Sequence, residues 1–180
     1  MDERISDRRE LLAGRIKASK MILLSASVLS LLNCILTLIG SSVRSPLYLD
    51  IPYFLAEVGK KMLTAAPKRV YAAVPILIVA ILLLAGLAFC CLKRGGSVLR
   101  FVITDALIIT DLAFGIALFA AGGDSDGKKI FGSLLDLAFH IALIIFSESG
   151  RRSSYALTVL PTDEDIKKSD ELDPYEELKK

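Results

Sequence analysis

Apolar residues run along the chain in four blocks, Met21 to Gly40, Tyr71 to Cys91, Phe101 to Ala121 and Ile130 to Phe146. A helix needs roughly 17 to 25 such residues to cross a bilayer, and each block meets that requirement. The first block outruns the roughly 7 to 15 residue core of a cleaved signal peptide, and no small-x-small cleavage site follows it. Its residues Ala26, Ser30, Asn33 and Thr37 fall on one face, the small and hydroxyl-bearing kind of face that closes helix pairs in lipid.

The pattern between the blocks is different. Ile5, Leu12 and Ile16 recur at helical spacing in the polar stretch 1–20, which predicts an amphipathic leader helix on the membrane surface. After the first block, Ile51, Phe54, Leu55, Val58 and Met62 share a face, while Glu57, Lys60 and Lys61 fall largely on the other. With Pro52 near its start, 51–63 is predicted to be a helix lying along the membrane interface. Pro75 is expected to kink the second span. Gly95 with Gly96, and the Gly and Asp rich stretch from Gly122, mark tight turns after the second and third spans.

The fold class that follows is all-α: a polytopic membrane protein whose four transmembrane helices form an antiparallel bundle. It divides into a leader (1–20), a membrane domain (21–149, spans about 21–40, 71–91, 101–121 and 130–146) and a polar tail (150–180). Between Pro161 and Lys180 the tail carries eight acidic and four basic residues.

Composition agrees. Hydrophobic residues make up 53% of the chain and charged residues 23%, with a mean hydropathy of +0.56, so the two kinds are segregated. A net charge of +2 does not argue for nucleic acid, and the implied partners are the lipid bilayer and further copies of the chain. Cys34, Cys90 and Cys91 lack metal-ligand spacing and read as packing residues. Eleven basic residues flank the ends on the side of the leader and tail, against seven on the other, which places both termini in the cytoplasm of a cell-membrane protein.

Ionisable groups inside apolar blocks are costly and mark function by default. Asp111, Asp136 and His140 are such groups, on two spans that a short turn makes neighbours. Counted from that turn, Asp111 lies roughly 16 Å down its helix, Asp136 roughly 12 Å and His140 roughly 18 Å. Asp136 and His140 are four apart and share a face with Ser133. Asp105 is six residues from Asp111, on another side, and reads as a separate polar group. Asp111, Asp136 and His140 are therefore the candidate ion or proton site, with Asn33, Ser30 and Ser133 as supporting residues. Carboxylate and imidazole would suit a divalent metal such as zinc or manganese, or a shared proton.

The segments Ile51 to Leu55 (IPYFL), ITD ending at Asp111, and Leu135 to His140 (LDLAFH) resemble those of a group of small four-helix integral membrane proteins of Gram-positive bacteria. The resemblance spans most of the chain between the first span and His140. It implies a bacterial inner membrane and a shared polar set of Asp111, Asp136 and His140, and no activity. The departure is after the fourth span, where Ser147 to Ser154 is shorter on lysine than the group's basic segment.

Ion- or proton-linked transport, or channel-like activity, is the functional expectation. A metal-dependent intramembrane enzyme acting on a lipid or amide is one alternative, and a scaffold or regulatory subunit locked by the buried charges is another. No HExxH, Gly-x-Ser-x-Gly, Cys-x-x-Cys or P-loop motif is present.

Overall fold

The computed structural model describes residues 2–41, 43, 47–65, 70–92, 97–122 and 127–161. Five helices make up the described residues, with no strand among them: α1 (Asp2–Ile39), α2 (Asp50–Ala65), α3 (Val70–Leu92), α4 (Val98–Gly122) and α5 (Gly127–Val159). Four of these, α1, α3, α4 and α5, are long and apolar enough to cross a membrane.

The leader does not form a separate surface helix. Asp2–Ile39 is one continuous helix of 38 residues, and the apolar positions Leu12 and Ile16 are buried. The partner surface is the far end of α5, which runs on past Phe146 to Val159 and thus absorbs the first ten residues of the expected tail. An amphipathic stripe continuous with a span buries its apolar side on a neighbouring helix when that neighbour is equally long. The remainder of the tail, 162–180, lies outside the described residues.

Small residues let α1 and α5 approach closely. Gly150 meets the ring of Phe101 and the Ser19 side chain, leaving no space for a Cβ. Ala26, Ser30, Asn33 and Thr37 are all buried, so the small-residue face of the first span does point inward. Leu23, Leu84, Leu87, Ile108 and Leu143 fill the core between them. Outward, more than half the surface of Ile81, Leu82, Phe89 and Ile145 is exposed, as expected of side chains that face lipid. Helix α3 runs through Pro75 without interruption. Cys34 and Cys91 are buried free thiols, packing residues as expected, and Cys90 is half-buried.

The segment between α1 and α3 departs from its expected place. Helix α1 ends in a glycine turn: Gly40 has φ +83°, its N–H bonds to Thr37 O, and the Ser41 N–H reaches back to Leu36 O. The chain then turns back along the bundle, because the Leu49 N–H donates to Oγ of Ser30, about two and a half turns below the end of α1. From there α2 runs beside α3: Ile51 and Pro52 meet Leu83 and Leu87 around a small cavity, and Gly59 abuts Leu77. The helix is where periodicity put it, but its first turn docks at the middle of α4 and does not lie across the helix ends. Within the bundle its leading amides are cut off from water, and a buried side chain supplies their acceptor.

Candidate functional site

That acceptor is Asp111. At the middle of α4 and 4% exposed, its carboxylate receives the Asp50 N–H on Oδ2 at 2.7 Å and the Ile51 N–H on Oδ1 at 2.8 Å. An anion at a helix N-terminus meets both the free amides and the positive end of the helix dipole. Here the anion comes from another helix, so α2 is capped in trans.

His140, fully buried on α5, lies on the other side of the same carboxylate, with Nε2 2.8 Å from Asp111 Oδ2. Its Nδ1–H donates to the main-chain carbonyl of Asp136 at 2.9 Å, and Asp136 Oδ1 lies 3.3 Å from the same nitrogen. A carbonyl accepts only, so the proton on Nδ1 is assigned by this bond. One further proton lies between Nε2 and Oδ2 whichever of the two carries it. The Asp111–His140 pair is therefore neutral as a unit, and neither ring nitrogen has a free lone pair.

Asp50 completes the group. It opens α2, is 9% exposed, and lies with Asp136 and His140 so that one ligand-type atom from each falls within 4.8 Å of the others. Asp50 Oδ2 and Asp136 Oδ1 are both buried without a hydrogen-bond partner. Asp50 fits because position 115 is glycine; a Cβ there would overlap Asp50 Oδ2.

Of the residues marked from sequence, Asp111, His140 and Asp136 stand in one line through the imidazole, while Asp50 takes the place beside Asp136 expected for Asp111. Ser30 does not reach this line; its Oγ donates to Ala26 O and holds the Leu49 amide. Asn33 is fully buried on α1, and Ser133 lines a groove next to Asp136. Asp105 lies apart, near Ser147. Asp50 and Gly115 were missed, although an acid inside the apolar run Leu47-Tyr-Leu-Asp-Ile51 was a signal that it is buried.

Two cavities flank the line. A groove of about 640 Å³ opens between α2, α4 and α5, with Asp50, Asp136, Tyr53, Phe54, Phe119 and Ser133 in its walls. A smaller one of about 100 Å³ lies between α2, α3 and α4 and touches Asp111 from the other side. The imidazole of His140 thus stands between Asp136 at one cavity and Asp111 at the other.

Four apolar helices of spanning length around a buried acid and imidazole group mark a polytopic membrane protein. No protein-family model, curated protein or solved structure matches the chain, so its properties are read from its own residues.

Proposed function

We propose that the protein is a four-span carrier of the cell membrane, working by ion- or proton-linked transport, in which a cation and protons exchange at the carboxylate pair of Asp50 and Asp136. The observation that carries this is the pair of buried, unpartnered oxygens, Asp50 Oδ2 and Asp136 Oδ1. The nearest donor, His140 Nδ1–H, is 3.3 Å from Asp136 Oδ1 but bonds to the Asp136 main-chain carbonyl, and the imidazole is already shared with Asp111. Two carboxylates with oxygens within 4.8 Å of one another repel, and a cation or a proton between them relieves the repulsion.

Three further features support the reading. Helix α2 enters the bundle only to the level of Asp111, which makes it a re-entrant half-helix with its positive end at mid-depth. Such interrupted helices build ion and substrate sites in transport folds. His140, with Asp136 on one side and Asp111 on the other, is positioned to pass protons between the two cavities. Placement of Ser19, Phe101 and Gly150 at one level, and of Ser30, Asp111 and His140 at another, fits an up-and-down antiparallel bundle, and the excess of basic residues near the start of α1 and the end of α5 puts that side in the cytoplasm. A four-helix unit encloses little volume, and a pair of copies completes a pathway.

Proteoliposomes loaded with a pH-sensitive dye test this. An imposed gradient of sodium, potassium, zinc or manganese drives proton movement in the wild type, and Asp136→Asn or Asp50→Asn abolishes it. Unchanged proton flux in both variants overturns the proposal.

The 4.8 Å spacing of Asp50, Asp136 and His140 favours one second reading, a bound zinc or manganese ion. It requires His140 Nδ1 to give up its proton and its bond to the Asp136 carbonyl. Stoichiometric metal in the purified protein, lost in His140→Ala, would establish it in place of proton exchange.

A further inference from the structure

The groove beside the carboxylates is much larger than a proton or a bare metal ion requires. At about 640 Å³ it has the size of a small-molecule site. Among the described residues, every charged one that lines it is acidic: Asp50, Asp136 and Glu57. Lys61, one turn beyond Glu57, is engaged with it at 3.3 Å and is not among the lining residues. Among the described residues, no basic side chain lines it to receive a phosphate or carboxylate.

The rest of the wall is aromatic and aliphatic. Tyr53 and Phe54 come from α2 and Phe119 from α4. The rim residues Ile116, Phe119 and Leu134 are half or more exposed, so the mouth opens where the bundle surface is apolar. A molecule entering there comes from lipid. Aromatic faces and carboxylates share one kind of ligand, a cation with little hydration. Inside, Asp50 is nine-tenths buried and its Oδ2 has no partner.

We propose that this groove binds a hydrophobic organic cation, an aryl or alkyl ammonium compound. Its charge lies at Asp50 and Asp136 and its apolar body lies against Phe54 and Phe119. The assignment rests on the exchange reading above and names the ligand class for that site.

The test uses the full chain in detergent and two probes of one shape and opposite charge, tetraphenylphosphonium and tetraphenylborate, followed by equilibrium dialysis. The phosphonium is expected to bind saturably, one per chain, and the borate not to bind. Asp136→Asn lowers phosphonium affinity by tenfold or more, and Phe54→Ala by about two- to fivefold, the scale of one cation–aromatic contact. Equal binding of the two probes, or binding that Asp136→Asn leaves intact, overturns the assignment. The wild-type comparison stands by itself if a variant does not fold. If inorganic cations still drive proton movement through Asp136 while the phosphonium does not bind, this assignment falls and the exchange site stands. If neither moves protons nor binds, both fall.

Discussion

The Asp111 carboxylate accepts the backbone N–H of Ile51, 60 positions earlier in the chain, at 2.8 Å. A side chain on α4 thereby does for α2 what a capping residue normally does within one turn. The same carboxylate also meets His140, so the seating of α2 and the protonation of the imidazole depend on one group.

Asp111→Asn removes the anion and turns an amide NH₂ toward donors. Breaking one side of a buried pair costs about 3 to 5 kcal/mol. Reversible denaturation of the detergent-purified protein should show a loss of that order. Hydrogen exchange at the amides of Asp50 and Ile51 should accelerate more than exchange elsewhere in α2, and equal acceleration throughout the helix would speak against trans-capping.

His140→Ala combined with Asp111→Asn should cost less than the sum of the two single changes. Once the imidazole is gone, part of what Asp111→Asn removes has already been lost. A double-mutant cycle on unfolding free energies reads this coupling directly, and strict additivity would show that the 2.8 Å contact contributes nothing.

Gly115→Ala and Gly86→Ala should have opposite signs. A methyl at 115 overlaps Asp50 Oδ2, whereas one at 86 meets nothing within 4 Å. Overpacking costs about 1 to 3 kcal/mol, while alanine for glycine in an exposed helix position gains up to about 1 kcal/mol. Melting temperatures of the two variants check this, and Gly115→Ala should also abolish proton exchange.

Ser30→Ala takes away the acceptor of the Leu49 amide, 2.9 Å away in a buried site. An unsatisfied buried donor costs about 1 to 3 kcal/mol. Thermal unfolding should shift accordingly, and Ser30→Thr, which keeps the hydroxyl, should recover most of the loss.

How much of this could be read in advance follows from what each signal measures. Hydrophobic runs report length and polarity, so the four spanning helices were plain from Met21, Tyr71, Phe101 and Ile130 onward. Spacing reports faces, so Asp136 and His140 were visibly on one side of α5. Neither signal reports depth for a short amphipathic helix. The apolar face of 51–63 suits a membrane surface and a bundle interior equally well, and only the Asp111 carboxylate distinguishes them. The leader misled for a related reason, because Leu12 and Ile16 could be covered by lipid headgroups or by α5, and the length of α5 beyond Phe146 was hidden among charged residues. Gly115 carried no local mark, since its role is to leave room for a side chain from another helix.

The trans-cap also bears on biosynthesis. As the chain leaves the ribosome, Asp50 is made 61 residues ahead of Asp111, and His140 follows 29 residues later still. Until α4 has been inserted, the leading amides of α2 have no anchor at mid-depth, so a nascent chain halted after α3 carries α2 unseated. Maturation of the site is therefore the closing event of assembly, and a translocon-arrested intermediate of that length should expose Asp50 to aqueous labelling after its replacement by cysteine, whereas the finished protein should not.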